Sequence, residues 1–384
     1  MKYRHFISII TTAFIISITA CKKPNFDVAP APGTTGTVVD YLRNNFDFSL
    51  FYAALQKSGL VDSLNNLNAA YTVWAPLNSA LNKEGIYTGS NFDSWPADSL
   101  RFFVRSHIQP IKLFYSDIPT ASDNKYRNLN GIDLYISKNT TAGGQFYLIV
   151  DGVPVQAVGA LSTSTTYQYG AAQLNGVVYP LINALKTSNK TVQDFLSSQP
   201  DLTHLVTGLK KFGVWDKLTG DGPFTIVAPK DSAFERYGLT IDSINRLDPS
   251  KYDVGLFAGY CMTPNHFFLL DIQQLNGFNL VAFHTMSDSL DLAVSVSASA
   301  ITLMSGCLRK RSSTPTNPGY IGPGRSVNIG VVLGDRFLSE ATGPNVYNMN
   351  VNTPPYGKYI NYTCTNGIVH LLSTVLALPS DVTK

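Results

Sequence analysis

The side chains best able to do chemistry in this chain are its six histidines and four cysteines, since such groups bind metals, carry protons or act as nucleophiles. The sequence holds no HExxH, no CxxC pair, no Walker loop and no GxSxG elbow. The residues scattered without metal-ligand spacing are His204, His266, His284, Cys261, Cys307 and Cys364. At most one disulfide can form among the last three, and buried or unpaired cysteines are favoured. The sequence therefore predicts no catalytic residue, no metal and no cofactor.

A second group of candidate residues lies in a stretch from about Gly306 to Pro355 that is rich in Pro, Arg and Tyr. Binding residues tend to lie on long insertions of a fixed scaffold, and Tyr and Arg side chains anchor interfaces or stack on sugar rings. The candidate binding residues are Arg309, Arg311, Tyr320, Arg325, Tyr347 and Tyr356. A loop with ordinary solvated charge is the alternative interpretation.

The scaffold that must position these residues is present twice in the sequence. Residues 37–42 match residues 191–196 at an offset of 154, and residues 71–76 match 224–229 at an offset of 153. Residues 175–179 match 366–370 at an offset of 191. Because the order of the blocks is kept, two copies of one unit are predicted. The larger last offset indicates an insertion in the second copy, near 306–355.

Each copy is predicted to begin with helices. Thr37 and Thr191 are expected N-caps, each with an Asp three residues later that completes a capping-box-like pair. Apolar residues from Leu42 through Phe46 to Leu55 recur at near-helical spacing. They predict one helix that ends near Gly59.

Each copy is predicted to end in a sheet. Residues 71–75 predict a buried strand, followed by a turn and a helix that begins at Asn78 or Asp231. Asn-Gly at 175 and at 366 indicates a turn that tolerates positive φ, then a strand that closes the sheet. Residues 146–153 predict a hairpin, and the alternation over 289–299 predicts a strand with one wet face. The expected fold class is α+β and β-rich.

The repeated blocks resemble the motifs of the fasciclin (FAS1) family over residues 37–185 and 191–379. The matching residues are Thr72, Ala75, Pro76, His107, Asn175 and Gly176 in the first copy, and Thr225, Ala228, Pro229, Asn366, Gly367 and His370 in the second. Two positions depart from the family pattern: Tyr179 replaces the His of the closing motif, and the second copy has Tyr260-Cys261 where a middle His is expected. The resemblance implies two tandem fasciclin-like domains, each with a mixed β-sheet wedge core and several helices packed on it.

The N-terminal segment predicts where the protein resides. A short basic start and an apolar run lead to Ala20 and then Cys21, which resembles the lipobox of bacterial lipoproteins. The resemblance implies a signal peptide over 1–20 and a lipid on Cys21. An ordinary secretory signal is the alternative, and a transmembrane helix is disfavoured because the segment is short. Residues 21–36 are then a tether, because their composition cannot bury enough surface to fold.

The expected domains are 37–188 and 189–380. The whole chain carries a net charge of +3, which gives no case for a nucleic-acid partner. The resemblance implies a lipid-anchored cell-envelope protein, expected on the outer membrane, that binds a protein or glycan ligand on a cell surface or matrix without catalysis. An accessory glycan-binding lipoprotein of a polysaccharide-uptake system is the alternative.

Five Asp-Ser pairs resemble an O-glycosylation pattern of exported Bacteroidetes proteins. Their serines are Ser63, Ser99, Ser232, Ser243 and Ser289. Helix capping by Asp and Ser accounts for most of them without any modification.

Overall fold

The computed structural model describes residues 36–140, 146–160, 167–263, 266, 268, 281–296, 304–310, 361–372 and 375–384. Short helices and small sheets make up these ranges, so the predicted α+β fold class is confirmed. Among the described residues, no helix is both long enough and apolar enough to cross a bilayer.

The first unit starts with a layer of helices. They are α1 (Val38–Asn44), α2 (Ser49–Lys57), α3 (Val61–Leu64), α4 (Asn78–Lys83) and α5 (Ala97–Ser106). The predicted capping box is present at α1: the Thr37 hydroxyl accepts a hydrogen bond from the Asp40 N–H, and the Asp40 carboxylate accepts one from the Thr37 N–H. This reciprocal pair satisfies two of the donors that a helix leaves open at its start.

The prediction of one helix through Phe46 is wrong. The chain leaves α1 at Asn45, whose side chain accepts a hydrogen bond from the Asp47 N–H at 3.1 Å, and α2 begins at Ser49 after a 3-10 turn. Asn side chains compete with helical hydrogen bonds in this way. Phe46 is 83% exposed, so the apolar spacing included one residue that does not enter the core. The predicted end near Gly59 is confirmed, with a φ of 73° at that glycine.

The strands of the first unit follow. They are β1 (Tyr71–Pro76), β2 (Ile108–Gln109), β3 (Asn124–Arg127), β4 (Asp133–Thr140), β5 (Phe146–Val150), β6 (Val153–Pro154), β7 (Gly159–Ala160), β8 (Tyr167–Gln168), β9 (Ala171–Gln173) and β10 (Gly176–Leu181). The central sheet has the order β2–β1–β10–β9, and β1 and β10 run parallel. The last strand, β10, completes the sheet by pairing with β1 on one side, and β9 folds back on its other side and forms the edge.

The two faces of the central sheet bury different layers. Val73 and Val178 face the helical layer, where they pack with Phe51 and other buried residues of α1, α2 and α5. Trp74 and Tyr179 face the second sheet, which has the order β3–β4–β5–β6. The period of two along a strand produces this division.

The predicted hairpin is confirmed. Val150 of β5 pairs with Val153 of β6 across a turn in which Asp151 has a φ of 46° and Gly152 a φ of 71°. Two successive positive φ values suit the right-handed twist of the flanking strands.

The second unit repeats this order. Its helices are α6 (Val192–Ser198), α7 (Thr203–Lys211), α8 (Asp231–Glu235), α9 (Ile241–Arg246) and α10 (Gly255–Ala258). Its strands are β11 (Phe224–Pro229), β12 (Cys261–Met262), β13 (Val281–His284), β14 (Leu290–Val296), β15 (Met304–Lys310), β16 (Tyr362–Cys364) and β17 (Gly367–Leu372). The central sheet has the order β12–β11–β17–β16. Phe224 of β11 stands opposite Gly367 as Tyr71 stands opposite Gly176, so the parallel pair keeps its register in both units.

A separate three-stranded sheet, in the order β13–β14–β15, reaches into the predicted insertion. β15 pairs with β14 over seven residues from Met304 to Lys310, so the stretch that begins at Gly306 starts inside a strand. The strand expected from the alternation over 289–299 is present as β14, and its Leu290 and Leu292 are buried.

The glycines of the two Asn-Gly pairs do not use the positive φ that such a pair tolerates. The positive-φ glycines of the described residues do not include Gly176 or Gly367. A Cβ on Gly176 would instead collide with the Tyr71 carbonyl oxygen, and one on Gly367 with the Phe224 carbonyl oxygen. Glycine is required because the parallel neighbour's backbone passes too closely for a side chain.

Candidate functional site

The family-motif residues lie around the central parallel pair of each unit, in two separate sets. All of their polar members are buried: Thr72, His107 and Asn175 in the first unit, and Thr225, Asn366 and His370 in the second. Because a buried polar group is costly unless it is hydrogen-bonded, the contacts of these side chains show what they do.

Asn175 holds the start of one helix to the end of another. Its Oδ1 accepts a hydrogen bond from the Val38 N–H at 3.0 Å, at the start of α1. Its Nδ2 donates to the carbonyl oxygens of Leu64 and Asn66 at 2.8 and 3.1 Å, at the end of α3. One amide therefore satisfies open groups at both helix ends.

Asn366 makes the same three contacts in the second unit. Its Oδ1 accepts from the Val192 N–H at 2.8 Å, and its Nδ2 donates to the carbonyl oxygens of Leu218 and Gly220. In both units the motif asparagine therefore has a structural role: it joins the start of one helix to the end of another, and we call this arrangement the asparagine bracket.

His107 is a buried neutral histidine at the end of α5. Its Nε2 accepts a hydrogen bond from the Leu185 N–H at 3.0 Å, and its Nδ1 lies 2.8 Å from the Phe103 carbonyl oxygen. These partners fix the tautomer with the proton on Nδ1. Burial lowers the pKa of His107 from 6.5 to about 4, so the ring stays neutral at neutral pH.

Tyr260 takes the place of His107 in the second unit. The backbone carbonyl of His107 accepts from the Trp74 N–H in β1, and that of Tyr260 accepts from the Val227 N–H in β11. The Tyr260 hydroxyl accepts from the Leu376 N–H at 2.9 Å, as His107 Nε2 does from Leu185. The middle motif therefore keeps its acceptor in the second unit, with a phenol in place of the imidazole.

The closing motif shows the opposite exchange. Tyr179 stands opposite Trp74 in the first unit, and His370 stands opposite Val227 in the second. Tyr179 stacks on Trp74 with ring centroids 4.5 Å apart and donates its hydroxyl proton to the Leu113 carbonyl. His370 Nδ1 accepts from the Asn361 N–H at 3.0 Å. Each unit has one His and one Tyr at these two positions, and both hydrogen-bond to backbone groups.

The first-motif residues also stabilise the backbone. The Thr72 hydroxyl donates to the Ile111 carbonyl and accepts from the Leu113 N–H, which ties the segment after β2 to β1. Ala75 and Ala228 are fully buried. Pro76 and Pro229 end their strands opposite Leu181 and Leu372. A proline fits there because the next residue resumes the ladder, with Leu77 and Lys230 donating to those leucine carbonyls.

The predicted binding residues are not assembled into a site by the described part of the chain. Arg309 lies in β15 opposite Asp291 of β14, and Asp291 contacts the exposed His284 at 3.0 Å. The other five candidates, Arg311, Tyr320, Arg325, Tyr347 and Tyr356, lie outside the described residues, as does Cys21. These assignments stay predictions.

Cys261 and Cys364 are buried free thiols. Burial raises the pKa of each to about 12, so neither is a thiolate at neutral pH. The side chain of Cys307 lies outside the described residues. Within the described ranges, no group of three or more His, Cys, Asp or Glu side chains is placed to hold a metal ion.

Sequence reasoning missed a junction between the two units. His266 lies against Tyr135 of the first unit, with ring centroids 3.8 Å apart, and its Nδ1 is 3.8 Å from the Asp123 carboxylate. The Asn361 side chain donates to the Gly152 carbonyl at 3.2 Å. The three non-glycine residues with positive φ among those described are Asp123, Asp151 and Asn361, and all three lie at or beside these contacts. Asp and Asn enter this region more readily than other non-glycine residues, and the positive φ of Asp151 is the one that its hairpin turn favours.

The fold and its motif contacts define a tandem α+β protein. Each of its two units is built around its own pair of parallel strands, and the two pairs have the same register. Residues 46–185 match the family model described as the fasciclin domain, so the first unit contains a fasciclin domain. No curated protein matches the chain. A solved FAS1 domain pair from the insect cell adhesion molecule fasciclin I is 18% identical, with 88% of this chain and 99% of that chain covered. Its TM-score is 0.33, so the relation between the two units rests on the strand register and the motif contacts that they have in common.

Proposed function

We propose that this protein is a lipid-anchored protein of the cell envelope, on the outer membrane, that binds a partner without catalysis. The observation that carries the proposal is that the buried motif residues hold the backbone of the fold together. The hydrogen bonds described for the side chains of His107, Asn175 and their counterparts in the second unit go to backbone groups. The motif residues therefore build the scaffold, which leaves binding to the surface. Fasciclin domains are typically adhesion-related and non-catalytic.

The partner proposed is a protein or a glycan on a cell surface or in a matrix, and the candidate residues of the insertion are proposed to contact it. Beads coated with the purified chain test this by their adherence to cells and matrix. A chain in which a short Gly-Ser linker replaces residues 312–355 keeps β15 and β16, and should lose adherence. Phe46→Ser alters an exposed apolar residue of the first unit and should adhere normally. If the linker variant adheres as well as the parent chain, the binding surface lies outside residues 312–355. If the parent chain itself does not adhere, the proposed adhesion is refuted.

A glycan-binding accessory role is the second candidate, favoured by the tyrosines of the insertion. Binding of the chain to a glycan array should then be lost when Tyr320, Tyr347 and Tyr356 are changed to Ala. If that variant still binds the array, the three tyrosines do not stack on the glycan. If the parent chain binds the array but does not adhere to cells, glycan capture is favoured over adhesion.

A further inference from the structure

The chain enters the first unit at Gly36, beside a group of exposed apolar side chains. The Gly36 carbonyl oxygen accepts a hydrogen bond from the Leu174 N–H at 3.0 Å. The Leu174 carbonyl in turn accepts from Lys112 Nζ at 3.3 Å. Leu174 therefore marks the point where the tether meets the folded unit.

Two further segments meet at the same end of the sheet. Asn175 binds the Asn66 carbonyl, which places the turn holding Leu67 beside Leu174. Thr72, at the start of β1, binds the Ile111 carbonyl, which places Ile111 beside the same strand end. We name this surface the Gly36 face and define it by Leu67, Ile111, Lys112 and Leu174.

The composition of the Gly36 face suits a lipid surface. Leu67 is 61% exposed, Ile111 38% and Leu174 40%. Residues 64–72, 108–114 and 171–176 contain no acidic residue, and their one charged residue is Lys112. The Asp40 carboxylate lies beside Gly36, where its charge is paired with Arg43. Exposed apolar side chains beside a cation fit the interface of an anionic bilayer.

The second unit shows that the fold does not require this surface. Its Thr365 N–H donates to the Lys190 carbonyl at 2.9 Å, which is the counterpart of the bond between Leu174 and Gly36. At the repeat offsets, Asp221 stands for Leu67 and Thr365 stands for Leu174. The apolar residues therefore belong to the unit that follows the tether.

The tether length indicates what covers the face. Cys21 and Gly36 are separated by 15 residue steps, for which a flexible chain has a root-mean-square span of roughly 20 Å. A folded unit of about 150 residues has a radius of gyration of roughly 15 Å, so the average span of such a chain is below the width of the unit. From these distances and this composition, we infer that the Gly36 face rests on the lipid surface to which Cys21 is anchored. The inference rests on the lipid anchor of the proposed function.

The anchor and the face have separate tasks. Three half-exposed side chains give weak contact with a bilayer, but a short tether holds them at a high effective concentration of lipid. The lipid on Cys21 therefore recruits the protein, whereas the Gly36 face orients it, with the second unit following the first along the chain.

Hydrogen exchange measured by mass spectrometry tests this orientation. The lipidated protein is placed on vesicles of phosphatidylethanolamine and phosphatidylglycerol at 3:1 and compared with the soluble Cys21→Ala chain. In peptides that cover 64–72, 108–114 and 171–176, we expect amide exchange in the vesicle-bound protein to be slower than in the soluble chain by about threefold or more. The corresponding peptides of the second unit, 218–225 and 362–367, should exchange equally in both samples.

Two variants keep the result specific. Replacement of Leu67, Ile111 and Leu174 by Asn should abolish the slowing, and Phe46→Asn, at an exposed apolar residue outside the face, should preserve it. If lipidated protein exchanges at the soluble rate, the Gly36 face inference fails and the anchor stands. If the intact mass shows that Cys21 carries no lipid, both the lipid anchor and the Gly36 face inference are overturned. Slowing that grows with protein concentration in the absence of vesicles would assign the face to a second copy and also overturn the inference.

Discussion

His107 makes the first unit sensitive to acid through a single buried ring. The folded unit leaves this imidazole unprotonated until about pH 4, because burial lowers its pKa, whereas the unfolded chain binds a proton below about pH 6.5. The unfolded state then holds more protons between those values, so stability present at neutral pH is lost as the pH falls. For the shift stated, the loss between pH 7 and pH 5 is about 2 kcal/mol.

His107→Gln should remove this part of the pH dependence, since Gln does not titrate. We expect the variant to be less stable than the parent at pH 7 but to lose about 2 kcal/mol less between pH 7 and pH 5. Urea unfolding followed by Trp fluorescence in a Trp215→Phe background reports on the first unit through Trp74 and Trp95. His284→Gln, at an exposed histidine, is the matched control and should keep the parent's slope. An unchanged slope in His107→Gln would contradict the assignment.

Gly367 tests whether the Asn-Gly motif needs space or backbone freedom. A Cβ there would meet the Phe224 carbonyl of the parallel strand, whereas one on Gly220 would meet its neighbours at ordinary distances of 3.6 and 3.8 Å. Gly367→Ala should cost about 2–3 kcal/mol and Gly220→Ala less than about 1 kcal/mol. Thermal melting followed by circular dichroism, with hydrogen exchange to locate the loss in the second unit, measures both. Similar melting of the two variants would show that the close approach relaxes cheaply.

At the scale of elements, one buried amide joins α1, α3 and β10. Asn175→Asp keeps the acceptor for the Val38 N–H but turns an oxygen toward the carbonyls of Leu64 and Asn66. We expect a loss of about 3 kcal/mol or more at pH 7, since a buried charge would face two acceptors. Protonation restores one donor, so the gap to the parent should narrow as the pH falls toward 4.

The matched control for this change is Asn66→Asp, on an exposed side chain that accepts from the Asn68 N–H and can still do so as a carboxylate. It should unfold within about 0.5 kcal/mol of the parent. If denaturant unfolding gave equal losses of stability for both substitutions, the side-chain hydrogen bonds of Asn175 would not be what holds these helices together.

The sequence predicts elements where local chemistry decides them and fails where distant backbone does. The capping box at Thr37, the N-cap at Thr191, the hairpin at Asp151-Gly152 and the buried strands follow from neighbours in the chain. Gly176 was assigned to a turn because its parallel neighbour, Tyr71, is 105 positions away. The exchange between His107 and Tyr260 looks like a missing histidine in the sequence, since the equivalence of imidazole and phenol shows only in their hydrogen bonds to Leu185 and Leu376.

The candidate site was less accessible to sequence reasoning. His266 has no distinctive neighbours in the sequence, and its contact with Tyr135 exists only once both units are folded. The Gly36 face likewise joins three segments that are far apart in the chain. Surface function of this kind depends on exposure, which composition alone does not assign to individual residues.

At the scale of the whole molecule, the two units are held together by backbone as well as side chains. The linker between them pairs with β16: the Ser188 N–H donates to the Thr363 carbonyl at 2.8 Å, and the Thr363 N–H donates to the Lys186 carbonyl at 3.0 Å. An extended linker that continues a sheet restricts rotation between units. The turn at Gly152 adds a second point of contact through Asn361.

Gly152→Ala should separate the units at that second contact. A Cβ on Gly152 would run into Asn361 and Phe268 of the second unit, and the residue also has a φ of 71°. Gly131, with a φ of 77° and nothing within 4 Å of a Cβ, is the matched control because Gly131→Ala carries the backbone strain without the collision. We expect faster proteolysis within residues 186–190 and faster exchange of the Thr363 amide in Gly152→Ala alone. A larger radius of gyration in X-ray scattering should accompany both, since linker pairing with β16 weakens when the turn no longer fits. Equal behaviour of the two alanine variants would mean that strain in the turn, and not contact across the junction, governs how the units are held.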